Sequence, residues 1–234
     1  DLQGLFAVPQ LLLILLLVLI VALSNPGLVE KGHGEDLLGE DLGEDLDDLG
    51  RARSVCVRNV WVRKEFCRTC ELWRPLRSKH LKESGWCVEG FDHYCQLLGN
   101  VIGRGNYLAF IVLVHFLVLF TLEALVVLWA CVLPDRQRAN LDGYWLETLV
   151  FSPDLCCAFA YLLAWLSFEL QMPYLHWFLI ARNLTTNEYV KSHWGEGDPQ
   201  RGGVPGTYAS QNPFDKGYKA NLFDFCKEGG IATT

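Results

Sequence analysis

Three stretches of the chain are apolar without the polar interruptions of an amphipathic helix: about residues 8 to 24, 107 to 133 and 155 to 181. Each approaches or exceeds the roughly 20 residues that a helix needs to cross a hydrocarbon core. The pattern predicts an α-helical multi-pass membrane protein with polar segments at 25–106, 134–154 and 182–234. A cleaved signal peptide does not explain the first run: Asp1 and Gln3 precede it without a basic segment, and no small-residue cleavage site follows. An odd number of helices and the lack of an initiator methionine predict part of a longer chain, with earlier membrane helices missing.

Basic residues set the orientation. About a dozen Lys and Arg fall between 25 and 106, against only Arg136 and Arg138 in the connection 134–154. The former segment is therefore expected in the cytosol, the loop containing Trp145 in the lumen, and the tail after Arg182 in the cytosol again. Glu123 and Glu169 are costly in hydrocarbon and are expected to face another helix or a polar cavity, as hydrogen-bonding groups. His115 and His176 read as packing or hydrogen-bonding residues. Pro173 is expected to kink the last helix and so shape a cavity for an apolar tail. Cys131, Cys156 and Cys157 read as small buried hydrophobes, and Cys56 and Cys226 as acylation sites near the membrane.

Charge changes the picture little. The net charge of −7 comes from a repetitive run, Gly34-Glu35-Asp36-Leu37 through Gly43-Glu44-Asp45-Leu46 with Asp47 and Asp48; without its eight acidic residues the chain is near neutral. This run reads as a solvated, disordered linker over 25–54. Arg63, Lys64, Arg68, Arg74, Arg77, Lys79 and Lys82 form a basic cluster suited to anionic lipid or the phosphates of coenzyme A. No nucleic-acid motif is present.

The segment 55–106 carries the chemistry. Cys67-x-x-Cys70, His80 and Cys87 supply three thiols and an imidazole, the donors of a closed tetrahedral zinc site; disulfide pairing is the alternative, disfavoured where cytosolic thiols stay reduced. Asp92-His93-Tyr94-Cys95 joins a carboxylate, a base and a thiol. A neighbouring imidazole accepts the thiol's proton and a carboxylate orients the imidazole, although residues so close in sequence need a tight turn to converge. A polar turn around a buried structural cysteine fits the tetrapeptide equally well on its own.

These residues resemble the DHHC-type protein S-acyltransferases, in a variant reading DHYC, closest to the fungal ankyrin-repeat subclass. Phe66-Cys67-Arg68-Thr69-Cys70 and Arg74-Pro75-Leu76-Arg77-Ser78-Lys79-His80 resemble the opening of the family's cysteine-rich domain. Asn25-Pro26-Gly27 stands where the family has Asp-Pro-Gly, Thr185-Thr186-Asn187-Glu188 matches its TTxE motif, and Asn212-Pro213-Phe214-Asp215 through Asn221-Leu222-Phe223-Asp224-Phe225 resembles its C-terminal aromatic motif. The subclass implies an ankyrin-repeat region before this segment; no ankyrin period appears in the residues present.

The resemblance implies a cytosolic zinc-binding cysteine-rich domain between membrane helices. It implies Cys95 as nucleophile, His93 as base and Asp92 as orienting carboxylate. The acyl donor would be palmitoyl-CoA or another fatty acyl-CoA, and the acceptors cysteine-bearing proteins at a Golgi or endosomal membrane. The family binds two zinc ions; Leu81, Ser84, Tyr94 and Val101 occupy the second ligand set. Their joint replacement predicts one structural zinc, held by Cys67, Cys70, His80 and Cys87, with Leu81, Tyr94 and Val101 forming a small packed core instead. Gln96-Leu97 replaces the family's Pro-Trp after the motif, altering the loop that directs the cysteine and its acyl contact. Thr186 is expected to reach Asp92, Asn221 to tie the tail to the helices, and Phe214, Tyr218, Phe223 and Phe225 to pack there. The alternative is a catalytically silent membrane scaffold of the same fold. A zinc hydrolase fits less well, because four protein ligands leave no coordination position for water.

Overall fold

A computed structural model of the chain describes residues 2–31, 42–46, 52–58, 60–138, 153–193 and 212–231. The loop expected to hold Trp145 and the Cys131 side chain lie outside the described residues. The chain divides into two compact units, residues 1–19 with 111–175, and residues 20–110 with 176–234.

The first unit is helical. Helix α1 spans Leu2–Leu23, α2 Tyr107–Arg138 and α3 Pro153–Glu169, followed by α4 at Gln171–Ala181. Leu11, Leu12, Leu119, Val126, Tyr161 and Leu163 present apolar surface outward, the reverse of a water-soluble helix. Tyr107–Ala130 and Pro153–Ala181, 24 and 29 residues, are long and apolar enough to cross a membrane; the apolar part of α1, Val8–Leu23, falls short of that length. The expected kink is a break between α3 and α4 around Leu170. Pro173 has no N–H and its ring crowds the carbonyl four residues back, on Glu169, which ends the helix there. Glu169 accepts a hydrogen bond from Trp165 Nε1 at 2.6 Å, and His115 Nδ1 meets the Ile111 carbonyl at 2.7 Å. Cys156 is half-buried and Cys157 exposed, so the expectation that these are buried hydrophobes fails: no residue of α3 is buried.

The second unit is built on short antiparallel pairs. Strands β1 (Leu42–Leu46), β2 (Ala52–Val57), β3 (Val60–Cys67) and β4 (Leu72–Trp73) form a four-stranded sheet in sequence order; β5 (Lys79–Leu81) pairs with β6 (Trp86–Val88), and β7 (His93–Cys95) with β8 (Asn100–Ile102). Part of the acidic run expected to be a disordered linker is thus a strand, because Leu42–Leu46 finds a partner edge in β2. Two helices complete the unit, α5 at Thr186–His193 and α6 at Tyr218–Glu228.

The end of α1 is anchored to this unit. Asn100 Nδ2 donates to the carbonyls of Val21 and Ser24 at 2.9 and 3.0 Å, satisfying acceptors left open by the last helical turn. Asn25 Oδ1 accepts from the N–H groups of Gly27 and Leu28, a side-chain-closed turn. The chain then runs along β6, with Val29 N–H donating to the Cys87 carbonyl and Glu89 N–H to the Gly27 carbonyl, both at 2.9 Å. Gly105 permits this approach: a Cβ there would lie 2.4 Å from the Asn25 carbonyl oxygen. Asn25-Pro26-Gly27 is therefore a docking turn beside the cysteine-rich strands.

Candidate functional site

The strand pairs gather the metal-capable donors. Cys67 ends β3, Cys70 lies in the following turn, and His80 and Cys87 face each other across β5 and β6. Their four donor atoms lie within 4.8 Å of one another, with His80 Nδ1 3.4, 3.3 and 3.8 Å from the sulfurs of Cys67, Cys70 and Cys87. The three cysteines are buried. Burial, then the neighbouring thiols, pushes the Cys87 thiol well up. Burial would also raise Cys67, but the Cys70 backbone N–H, the Cys87 thiol and the Thr69 N–H outweigh it and lower the thiol. Burial and the charges of Arg74 and Lys31 lower His80, keeping its imidazole neutral, as a metal ligand requires. Three clustered buried sulfurs with a neutral imidazole fit a dication, whose charge would drive the thiols to thiolates.

The positions of the second ligand set divide. Leu81 and Val101 are buried in one apolar cluster with Val88 and Phe91. Ser84 is occupied locally, its Oγ accepting from the Trp86 N–H at 3.3 Å. Tyr94 corrects the expectation: it stands opposite Val101 in the ladder, yet it is 42% exposed and does not join the cluster. A buried phenol would need a partner for its hydroxyl, which a cluster of hydrocarbon side chains does not supply.

The tetrapeptide converges by a different route from the expected tight turn. His93 and Cys95 lie two residues apart on strand β7, and residues at that spacing share one face. Asp92, buried, accepts from its neighbour: His93 Nδ1 lies 2.7 Å from Asp92 Oδ2. The Asp92 bond occupies Nδ1, and the Cys95 thiol, on the same face of the strand, is the next group to bear on the imidazole. Burial opposes a charge on each of the three, and their mutual contacts outweigh it. Against burial, the hydrogen bonds to Asp92 and Cys95 and the charges of both raise His93 to about 9. Burial would raise Cys95, but the hydrogen bond to His93, the Leu98 and Leu97 N–H groups and the imidazolium charge lower it. Asp92 is lowered in the same way, by His93 first and then by the charge of His176 and the Thr186 N–H. Cys95 is half-buried, and Leu97 in the loop that follows is 97% exposed.

Thr186 closes the far side of Asp92, as expected: its N–H donates to Oδ1 and its hydroxyl to Oδ2, each at 2.7 Å. Asn221 Nδ2 donates to the Ala181 carbonyl at 2.8 Å, tying α6 to the end of α4. Phe214 and Phe225 are buried, but Tyr218 and Phe223 are more than 60% exposed and do not pack as expected, because α6 turns only one face inward.

His176 is buried on α4 and hydrogen-bonded as expected, Tyr107 Oη lying 2.8 Å from its Nδ1. Sequence reasoning missed two features. The His176 ring centroid is 6.1 Å from that of His93, with Phe110 5.2 Å from both. Arg77, assigned to an open basic cluster, is withdrawn from the surface: its Nη2 donates to Glu188 at 2.7 Å, with the guanidinium side chain 1% exposed. Arg74 pairs with Glu65, and Lys79 sits 4.7 Å over the Phe91 ring. The Arg74-Pro75-Leu76-Arg77 match was the only available signal, and it gives no indication of burial.

The model of the DHHC palmitoyltransferase family matches residues 62–193, more than half of the chain. Among curated proteins, human "Palmitoyltransferase ZDHHC18" is 32% identical over 179 residues, covering 75% of this chain and 42% of that protein. Its rat counterpart is 34% identical over 184 residues, covering 75% and 42%. Bovine "Palmitoyltransferase ZDHHC9" is 31% identical over 183 residues, covering 76% and 44%. The chain therefore spans about two fifths of the length of these relatives. With the clustered Cys/His donors and the Asp92–His93–Cys95 arrangement lying inside the matched segment, the chain belongs to the DHHC palmitoyltransferase family.

Proposed function

We propose that this chain is the catalytic part of a protein-cysteine S-palmitoyltransferase, with Cys95 as nucleophile, His93 as proton carrier and Asp92 as orienting carboxylate. The observation that carries the reading is the buried Asp92 carboxylate, 2.7 Å from His93 Nδ1, with Cys95 on the same face of β7 as the imidazole. A thiolate beside an imidazolium is a ready nucleophile near neutral pH. Cys95 Sγ attacks the carbonyl carbon of the acyl-CoA thioester and the carbon–sulfur bond to coenzyme A breaks. The departing thiolate takes the proton of His93. In the second half, the acceptor cysteine gives its proton to His93 and attacks the Cys95 thioester, and Cys95 leaves as thiolate. The two exchanges have similar thioester energy, and the pair returns to its starting state.

Cys67, Cys70, His80 and Cys87 would hold one structural zinc, which would crosslink the β3–β4 turn to the short β5–β6 pair. The second ligand set does not fit a metal, since Leu81 and Val101 lie in an apolar cluster and Tyr94 is exposed. The two long apolar helices support a multi-pass membrane protein with residues 25–106 and the tail in the cytosol, where acyl-CoA and acceptor proteins meet it. A Golgi or endosomal location rests on family resemblance, and co-staining with organelle markers tests it.

The test is labelling of purified protein with alkyne-tagged palmitoyl-CoA, comparing wild type, Cys95→Ser and His93→Ala. Hydroxylamine-sensitive label lost in Cys95→Ser and reduced in His93→Ala supports the acyl-enzyme. Equal label in all three points to passive acylation of other cysteines and to the scaffold alternative.

A further inference from the structure

Arg77 and the segment 183–188 form a closed ring around Asp92. The Arg77 carbonyl accepts from the Phe91 N–H at 3.2 Å, immediately before Asp92. From the same residue the guanidinium reaches Glu188, with Nε on Oε1 at 2.9 Å and Nη2 on Oε2 at 2.7 Å. Glu188 Oε2 also accepts from the Thr185 N–H at 2.9 Å, and the Glu188 N–H donates to Thr185 Oγ1 at 3.1 Å. The next residue, Thr186, holds both oxygens of Asp92. Each end of the ring thus terminates on Asp92 or on its neighbour.

Two further observations mark the ring as built rather than incidental. Arg77 adopts left-handed backbone, φ 61°, uncommon for a non-glycine residue, whereas Asn183, φ 46°, closes the end of α4 in the conformation that asparagine favours there. The two residues meet: Arg77 Nη1 donates to Asn183 Oδ1 at 2.8 Å and Nη2 to its carbonyl at 2.9 Å. The Phe214 ring lies under the guanidinium, 4.6 Å from Cζ to centroid. The planar fork makes four bonds to Glu188 and Asn183 in fixed directions; an ammonium has three donors at a single point and cannot make all four.

We propose that Arg77 is a positioning residue for the reaction, fixing the Asp92 carboxylate through Glu188 and the Thr185–Thr186 turn so that His93 is held on Cys95. The inference rests on the transfer reading for its consequence, but it concerns the thiol and can be measured without acyl donor. The titratable or polar groups facing His93 are Asp92 and Cys95 from its own hairpin, with His176 from α4 and Tyr107 behind it on α2.

The experiment is the rate of Cys95 alkylation by iodoacetamide against pH, read on the Cys95 peptide by mass spectrometry, for the whole chain in detergent. Arg77→Lys keeps the charge and loses the fork. It is expected to lower alkylation at pH 6.5 by about 10-fold and to move the midpoint up by about one pH unit, as a loosened imidazolium stabilises the thiolate less. Glu188→Gln is expected to shift the profile in the same direction, and carries the test if Arg77→Lys does not fold. Arg104→Lys, which weakens an ion pair with Glu89 and Glu228, is expected to leave the profile in place. Folding is checked by zinc content and melting temperature. An unmoved profile in a folded Arg77→Lys or Glu188→Gln, or an equal shift in Arg104→Lys, overturns the proposal. Absence of hydroxylamine-sensitive label in wild type instead overturns the transfer reading and leaves the ring standing.

Discussion

Thr186 and Asp92, 94 residues apart in sequence, share two hydrogen bonds of 2.7 Å, one from the threonine N–H and one from its hydroxyl. The carboxylate is buried, so each donor to it acts in a medium where a charge-assisted bond counts for more than in water.

Thr186→Val removes the hydroxyl and keeps the shape and the N–H. The loss should cost about 1.5–3 kcal/mol, the range for a hydrogen bond to a charged group, and reduce acyl-enzyme formation by roughly 10-fold or more. Thr186→Ser should recover most of it. Single-turnover labelling of Cys95 measures both, and a Val variant as fast as wild type would sever the link between this contact and the chemistry.

Stability should fall at alkaline pH because of His93. Its folded pKa, about 9, lies above the ordinary 6.5, so the group's contribution is fully present below about 6.5 and is lost as pH rises through about 9. The contribution is at most about 3 kcal/mol. Asp92 has the opposite sign: lowered below its ordinary 3.8, it stabilises above that value and loses its contribution as pH falls through the folded pKa. Melting curves from pH 6 to 10 should show a drop that His93→Phe largely lacks.

Metal analysis should find one zinc per chain. Cys87→Ser should abolish it and unfold the cysteine-rich strands, since a structural zinc contributes on the order of 10 kcal/mol to small domains. Elemental analysis with circular dichroism before and after chelation checks both; two zincs per chain would contradict the apolar second site.

Gly105→Ala should destabilise the junction after α1. The added Cβ meets the Asn25 carbonyl oxygen at 2.4 Å and the Gly27 nitrogen at 2.8 Å, backbone atoms that cannot swing aside. A loss of about 1–3 kcal/mol is expected, in the range for overpacking. A melting temperature within a degree of wild type would show that the turn gives way freely.

By itself the sequence determined what depends on residue type at short spacing. The apolar runs 107–133 and 155–181 were legible as helices long and apolar enough to cross a membrane, because hydrophobic length is a one-dimensional property. Cys67, Cys70, His80 and Cys87 were legible as a group that could hold a metal ion, because thiols and imidazoles have few other reasons to cluster. His93 and Cys95 were legible as partners, though the strand that aligns them on one face was read as a turn.

Only the tertiary structure decided which distant residues complete the site. Arg77 looked like one cation among seven, and its burial against Glu188 depends on a contact across 111 residues. Asn100 carries no local sign that it caps α1, 76 to 79 residues earlier. Tyr94 was equally opaque: hydrophobic enough to enter the Leu81–Val101 cluster, it stays outside because that cluster offers no partner for a hydroxyl. Such outcomes depend on which surfaces meet and how their polar groups are satisfied, and local composition does not encode either.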